Sequence, residues 1–314
     1  MWEILLQILL LVLGFVLLVK GADFFVDSAS SLAKKLHVPD LVVGLTIVAM
    51  GTSAPEAAVS ITAALKGSAE ITIGNIVGSN ILNILIILGL SSLFANLLFT
   101  KSTIRIDIPF MLGIMIVLGI LGLDGGLNLV DGIILVVLFV GYITYLIIDA
   151  KKNPAPIVEE EPKNKMYDKL WFVILMIAIG LGMIILGSTF AVDSAKFIAR
   201  KIGISERFIG LTIVALGTSL PELFTSVIAA RKGNADIAIG NIVGSNIFNI
   251  LFVVGISSLI TTVPFASAFL IDMLVAIFAG IILFVPAIIC GKLGKKTGII
   301  MLLSYAIYFV YLLI

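Results

Sequence analysis

One unusual passage occurs twice in this chain, at a constant offset. GLTIVAMGTSAPE at 44–56 returns as GLTIVALGTSLPE at 210–222, and GNIVGSNI at 74–81 returns unchanged at 240–247. Both pairs are 166 residues apart (44 to 210, 74 to 240), so the halves correspond without a gap across this stretch. Each copy sets a glutamate, Glu56 or Glu222, in an apolar segment long enough to cross a bilayer. A carboxylate at that depth is costly, and a functional role is the default reading of one. Duplicated apolar segments interrupted by Gly and Pro point to an ion site where two structural repeats meet.

Composition fits a membrane chain. Of 314 residues 61% are hydrophobic and 12% charged, with a mean hydropathy of +1.25; soluble domains are about 45–50% apolar and about 25% charged. The net charge of +1 gives no basic face for nucleic acid. One cysteine, Cys290, excludes an internal disulfide, and one histidine, His37, excludes a His-rich metal site. The N-terminal apolar run lacks a basic flank, begins with Glu3, and is followed by no A-x-A cleavage site. Its Gly14, Gly21 and Asp27 match Gly180, Gly187 and Asp193, so it reads as a first span of the mature protein.

Hydropathy predicts an all-α polytopic membrane protein with ten transmembrane spans, near 4–27, 41–65, 71–95, 104–122, 128–149, 168–197, 208–230, 237–261, 266–289 and 296–314. Residues 1–149 form a first five-span repeat, 150–167 a polar linker and 168–314 a second repeat. An odd number of spans per half inverts the second repeat relative to the first. Lys and Arg crowd the loops after spans 1, 3, 5, 7 and 9. That bias places the linker in the cytoplasm and both termini outside, in a multi-pass protein of the cell membrane.

In GTSxPE the proline lacks an N–H and clashes one turn back, while the glycine tolerates irregular dihedrals. The helices are therefore expected to open near Ala49–Pro55 and Ala215–Pro221, freeing carbonyls and the hydroxyls of Thr52, Ser53, Thr218 and Ser219. Glu56 and Glu222 follow those hydroxyls by about one helical turn, so carboxylate and hydroxyl of one half can point at one ion. Gly74 and Gly78, like Gly240 and Gly244, have the small-xxx-small spacing of close helix packing. Ser79 with Asn83, and Ser245 with Asn249, are four apart and share a face. The inventory is all oxygen, suited to hard cations such as Ca²⁺ and Na⁺. Asp27 and Asp193, near helix ends beside Lys20 or Lys196, are expected to form ion pairs or sit at the membrane interface, and Asp124 and Asp131 to lie in an interfacial loop.

At these motifs the chain resembles the cation/Ca²⁺ antiporter superfamily, in its Na⁺/Ca²⁺ exchanger branch of prokaryotic type. GTSAPE and GTSLPE, each followed by GNIVGSNIxN, carry the resemblance, which extends over nearly the whole chain. It implies a core of spans 2, 3, 7 and 8 with broken helices, across which spans 1 and 6 slide as a slanted pair. It implies Ca²⁺/Na⁺ antiport by alternating access, in which three Na⁺ per Ca²⁺ would carry net charge. The implied ligands are the carbonyls of Ala49 and Ala215 with Thr52, Ser53, Glu56, Ser79, Asn83, Thr218, Ser219, Glu222, Ser245 and Asn249. Asn249 replaces the aspartate of some relatives and argues for K⁺-independent exchange. Gly78 and Gly244 stand where the Ca²⁺/H⁺ branch has glutamate, which favours Na⁺ over the alternative, Ca²⁺/H⁺ antiport. No cofactor, enzyme activity or obligate protein partner is expected beyond the lipid bilayer and the ions themselves. A channel or an intramembrane hydrolase fits less well, since one chain carries both repeats and Ser53 has no adjacent base.

Overall fold

The computed structural model describes residues 2–154, 166, 169–203 and 215–313. A bilayer leaves backbone groups no water to bond, so long apolar runs close their hydrogen bonds as helices. The first half contains α1 (Trp2–Leu36), α2 (Asp40–Thr52), α3 (Ala54–Leu65), α4 (Glu70–Phe94), α5 (Thr103–Asp124) and α6 (Leu129–Lys152). The second contains α7 (Leu170–Lys201), α8 (Ala215–Thr218), α9 (Leu220–Arg231), α10 (Ala235–Ile260), α11 (Ala268–Cys290) and α12 (Lys295–Leu313). Among the described residues, 8 helices are long and apolar enough to cross a membrane, and α2–α3 makes a ninth span bent by 50°. Their counterpart in the second half is described only from Ala215, so residues 210–214 of the second motif lie outside the described residues.

The architecture is helical as expected, with one small addition. Two antiparallel ladders of two residues each tie loop ends together: β1 (Leu97–Leu98) with β4 (Lys292–Leu293), and β2 (Gly126–Leu127) with β3 (Val263–Pro264). Each ladder joins a strand of one half to a strand of the other. Around the linker, α6 continues to Lys152 and α7 starts at Leu170, with the residues at 155–165 outside the described set.

Burial, rather than hydropathy, distinguishes the centre from the periphery. The most apolar windows of α10 and α4 are 94% and 78% buried, against 17% for α1 and 22% for α7, although α10 and α4 have the lower hydropathies, 1.9 and 2.0 against 2.6 and 2.7. The helices that carry Ser and Asn are covered by their neighbours, and hydropathy does not set that order, since α12 has the lowest value, 1.6, and is 17% buried. The peripheral pair α1 and α7 cross backbone to backbone. A methyl at Gly14 would lie 2.8 Å from the Gly187 carbonyl, and one at Gly21 2.8 Å from that of Gly180. The matched glycines thus meet crosswise in space, Gly14 on Gly187 and Gly21 on Gly180, as an inverted pair of helices requires, the close approach that small residues permit between membrane helices.

Two charge assignments change. Asp27 does not pair with Lys20. Lys232, in the α9–α10 turn, donates to Asp27 Oδ1 at 2.8 Å and to the Asp23 carbonyl at 3.0 Å. Beside it Asn234 Nδ2 donates to Asp40 Oδ2 at 2.6 Å, which also accepts from Ser30 at 3.0 Å. These contacts pin the C-terminal part of α1 to the turn that opens α10, a partnership no local spacing suggests. Asp193 does pair with Lys196, at 3.7 Å. Asp131 lies in the first turn of α6 and not in a loop, because it and Asn128 form a reciprocal capping box.

Candidate cation site

The break expected in the first GTSxPE falls at Ser53, whose φ of −83° and ψ of 6° leave the helix before α3 restarts with Pro55 in its first turn. Ser219 does the same before α9, at φ −92° and ψ 6°. Both glutamates therefore stand in the first turn of a new helix, and both are buried, Glu56 at 1% exposure and Glu222 at 0%. Each serine bonds the glutamate of the opposite half. Ser53 Oγ donates to Glu222 Oε1 at 2.7 Å, and Ser219 Oγ donates to Glu56 Oε1 at 3.4 Å. These bonds run between the halves, and the one-turn spacing within each half did not suggest them, because the break at each serine interrupts the helical register.

The second motif supplies the walls. Gly240 and Gly244 let α10 press on α2: a methyl at Gly240 would lie 2.9 Å from the Leu41 carbonyl, and one at Gly244 2.6 Å from that of Leu45. Ser245 Oγ then donates to the Ala49 carbonyl at 3.4 Å. After GNIVGSNI both helices widen into a π turn, Asn83–Leu88 in α4 and Asn249–Val254 in α10. Such turns insert one residue and recur at functional sites. Helix α3, bearing Glu56, packs against the π turn of Asn249, and α9, bearing Glu222, against that of Asn83. Ser79 is 4% exposed, Asn83 1%, and Ser245 and Asn249 0%.

Of the remaining expected ligands, Thr52 is fully buried. Thr52 Oγ1 bonds Asn241 Oδ1 at 2.9 Å and lies near the carbonyls of Val48 and Ala49. Thr218 is half-buried at the end of α8, which Ala215 opens. Several residues escaped the sequence reading. Asn75 Nδ2 donates to Ser60 Oγ at 2.9 Å and to the Glu56 carbonyl at 3.3 Å; Asn241 Nδ2 donates to Ser226 Oγ at 2.9 Å and to the Glu222 carbonyl at 3.4 Å. Asn80 and Asn246 bridge α4 and α10. Their signal was the amides of GNIVGSNI itself, polar groups in an otherwise apolar helix. Asp107, fully buried in α5, accepts from Tyr142 at 3.0 Å, and its signal was a lone aspartate within a predicted span.

Four buried oxygens at this junction accept no hydrogen bond from the described protein: Glu56 Oε2, Glu222 Oε2, Asn83 Oδ1 and Asn249 Oδ1. An unsatisfied buried acceptor costs about 1–3 kcal/mol, and more when charged. Two carboxylate and two amide oxygens in reciprocal positions form a donor set that a hard cation satisfies. Among the described residues no group of three His, Cys, Asp or Glu side chains is placed to hold a metal.

Residues 6–148 and 172–314 both match the family described as sodium/calcium exchanger protein. The chain belongs to that family. Sodium/calcium exchanger MaX1 of Methanosarcina acetivorans is 31% identical over 355 aligned positions, covering 97% of each chain. Inner membrane protein YrbG of Escherichia coli is 38% identical over 257 residues, covering 80% of this chain and 79% of its own. The solved structure of the sodium-calcium exchanger NCX_Mj, soaked with Na⁺ and Sr²⁺, superposes with a TM-score of 0.85 at 33% identity, covering 97% of this chain and 98% of that one. The protein is thus a multi-pass membrane protein of a transporter family, not of an enzyme family.

Proposed function

We propose that this exchanger moves Ca²⁺ and Na⁺ alternately through one shared site lined by Glu56 and Glu222, with Ser53, Ser219, Asn83 and Asn249 completing it. The observation that carries this reading is the set of four unpartnered buried oxygens, two from each half. Two carboxylates supply a charge of −2, which one Ca²⁺ or two Na⁺ would balance. Because both ions need the same oxygens, they exclude each other, as antiport through a single site requires. An empty, doubly charged site is costly to move past an apolar barrier, so loaded states cross preferentially.

Alternating access is assigned to α1 and α7, whose glycine-lined crossing leaves them in van der Waals contact with each other and largely exposed to lipid elsewhere. The two inverted repeats, 1–149 and 168–314, present the same site to opposite sides of the membrane, with the linker cytoplasmic and both termini outside. Several contacts between halves support this symmetry, since they recur with the two halves exchanged. The deciding experiment is ⁴⁵Ca²⁺ uptake into proteoliposomes under imposed Na⁺, K⁺ or H⁺ gradients. Uptake driven by an outward Na⁺ gradient is expected. Uptake that follows only a proton gradient would establish Ca²⁺/H⁺ antiport instead.

A further inference from the structure

Asn80 and Asn246 sit where α4 and α10 meet, at 1% and 0% exposure. Asn80 Nδ2 donates to the Asn246 carbonyl, and Asn246 Nδ2 donates to the Asn80 carbonyl, each at 3.3 Å. A backbone carbonyl only accepts, so each contact draws the amide nitrogen toward it and leaves the amide oxygen on the opposite edge. For Asn246 a second acceptor, Met111 Sδ at 3.6 Å, pulls the nitrogen further. The oxygens so fixed then accept in turn: Asn246 Oδ1 from Asn83 Nδ2 at 3.0 Å, and Asn80 Oδ1 from Asn249 Nδ2 at 3.2 Å. That engages the nitrogens of Asn83 and Asn249 and leaves their Oδ1 atoms as the unpartnered pair. An amide has nearly the same shape in either orientation, and a flipped one would turn N–H groups on a cation.

We propose that Asn80 and Asn246 are positioning residues that lock Asn249 and Asn83, each in the opposite half, with the amide oxygen toward the transported cation. The proposal rests on Asn83 and Asn249 being ion ligands. It also accounts for the residue type. Aspartate has no N–H for the carbonyl, and serine has only one short hydroxyl where donor and acceptor are needed on opposite edges. Plain adhesion between α4 and α10 is the competing account, and it predicts no preference for which asparagine is affected.

The test is equilibrium ⁴⁵Ca²⁺ binding to the purified full chain, with thermal midpoints measured in the absence of ions. N83A and N246A are each expected to weaken binding about tenfold, and N83A/N246A no more than the worse single variant, because residues acting through one another are non-additive. N246A/N249A is expected to multiply the single effects, to roughly 100-fold, since those two act on different oxygens. Multiplicative loss in N83A/N246A, with midpoints falling in parallel, would mean adhesion only and overturn the proposal. Weak binding by N83A beside normal binding by N246A would overturn the positioning role while leaving Asn83 a ligand. Normal binding by N83A would sink both. If N246A does not fold, N80A with N249A reads the mirrored pair in the same way.

Discussion

Glu222→Gln keeps the size and shape of the side chain and removes its charge. Ser53 Oγ, 2.7 Å away, can still donate to the amide oxygen, so the helix break and the local packing should persist. What changes is the balance at the four-oxygen junction, where one carboxylate is left to face a divalent ion in a buried site. Removing one partner of a buried charge pair costs about 3–5 kcal/mol, which at about 1.4 kcal/mol per decade is roughly two to four orders of magnitude in Ca²⁺ affinity. A single Na⁺ is still neutralised by Glu56, so monovalent binding should fall much less. The assay is ⁴⁵Ca²⁺ binding to purified protein, paired with Na⁺-induced thermal stabilisation of the same sample. Loss of the Ca²⁺ signal with retention of the Na⁺ shift is expected, and Glu56→Gln should behave alike. Near-parental Ca²⁺ affinity in either variant at normal expression would refute the charge-balance argument for that residue.

The other expectations are narrower. Ser53→Ala should raise the KM for Ca²⁺ more than Ser219→Ala, because the first removes a 2.7 Å bond to a carboxylate and the second a 3.4 Å one; hydrogen bonds to charged groups contribute about 1.5–3 kcal/mol, and equal effects would contradict the asymmetry. Asn249→Asp places a third carboxylate at the junction, which must take a proton or recruit another cation, so flux should become more acid-sensitive or responsive to K⁺; superimposable pH and K⁺ profiles would remove Asn249 from the site. With Cys290 replaced, a cysteine placed in 155–165 should react with an impermeant thiol reagent from the cytoplasmic side alone, and labelling of intact cells from outside would reverse the orientation.

The duplication made the two glutamates legible, because a carboxylate inside a membrane span is too costly to recur at one offset by chance. Spans were legible from hydropathy, but which spans form the centre was not. The two most buried helices have lower hydropathy than the lipid-facing α1 and α7, a ranking that follows from neighbours and not from the segment itself. Cross-half bonds were hidden for a related reason. Spacing arguments hold within one continuous helix, and Ser53 bonds Glu222, 169 positions away, from a point where the helix has stopped. Lys232 reaching Asp27 across 205 positions is the same kind of contact. Asn80 and Asn246 were within view but overlooked, because packing already accounted for the glycine spacing in their motif. Asp107 was the plainer omission, a carboxylate inside a predicted span whose Tyr142 partner lies in the next one.

Since serine and glutamate, or amide donor and amide acceptor, come from different halves, the site has the character of a dimer interface carried on a single polypeptide. On the proposed reading of the site, neither half owns a complete set of oxygens. Joining them through the 150–169 stretch makes their meeting intramolecular, at an effective concentration that short tethers place in the millimolar range. A polypeptide cut within that stretch would have to recover the same junction by bimolecular encounter in the plane of the membrane. Assembly would then depend on how densely the halves are packed in the bilayer, as it does for separate subunits. Substitutions on the two sides are therefore physically linked: changing Ser53 or Asn83 alters the hydrogen bonding of Glu222 or Asn246 in the other half.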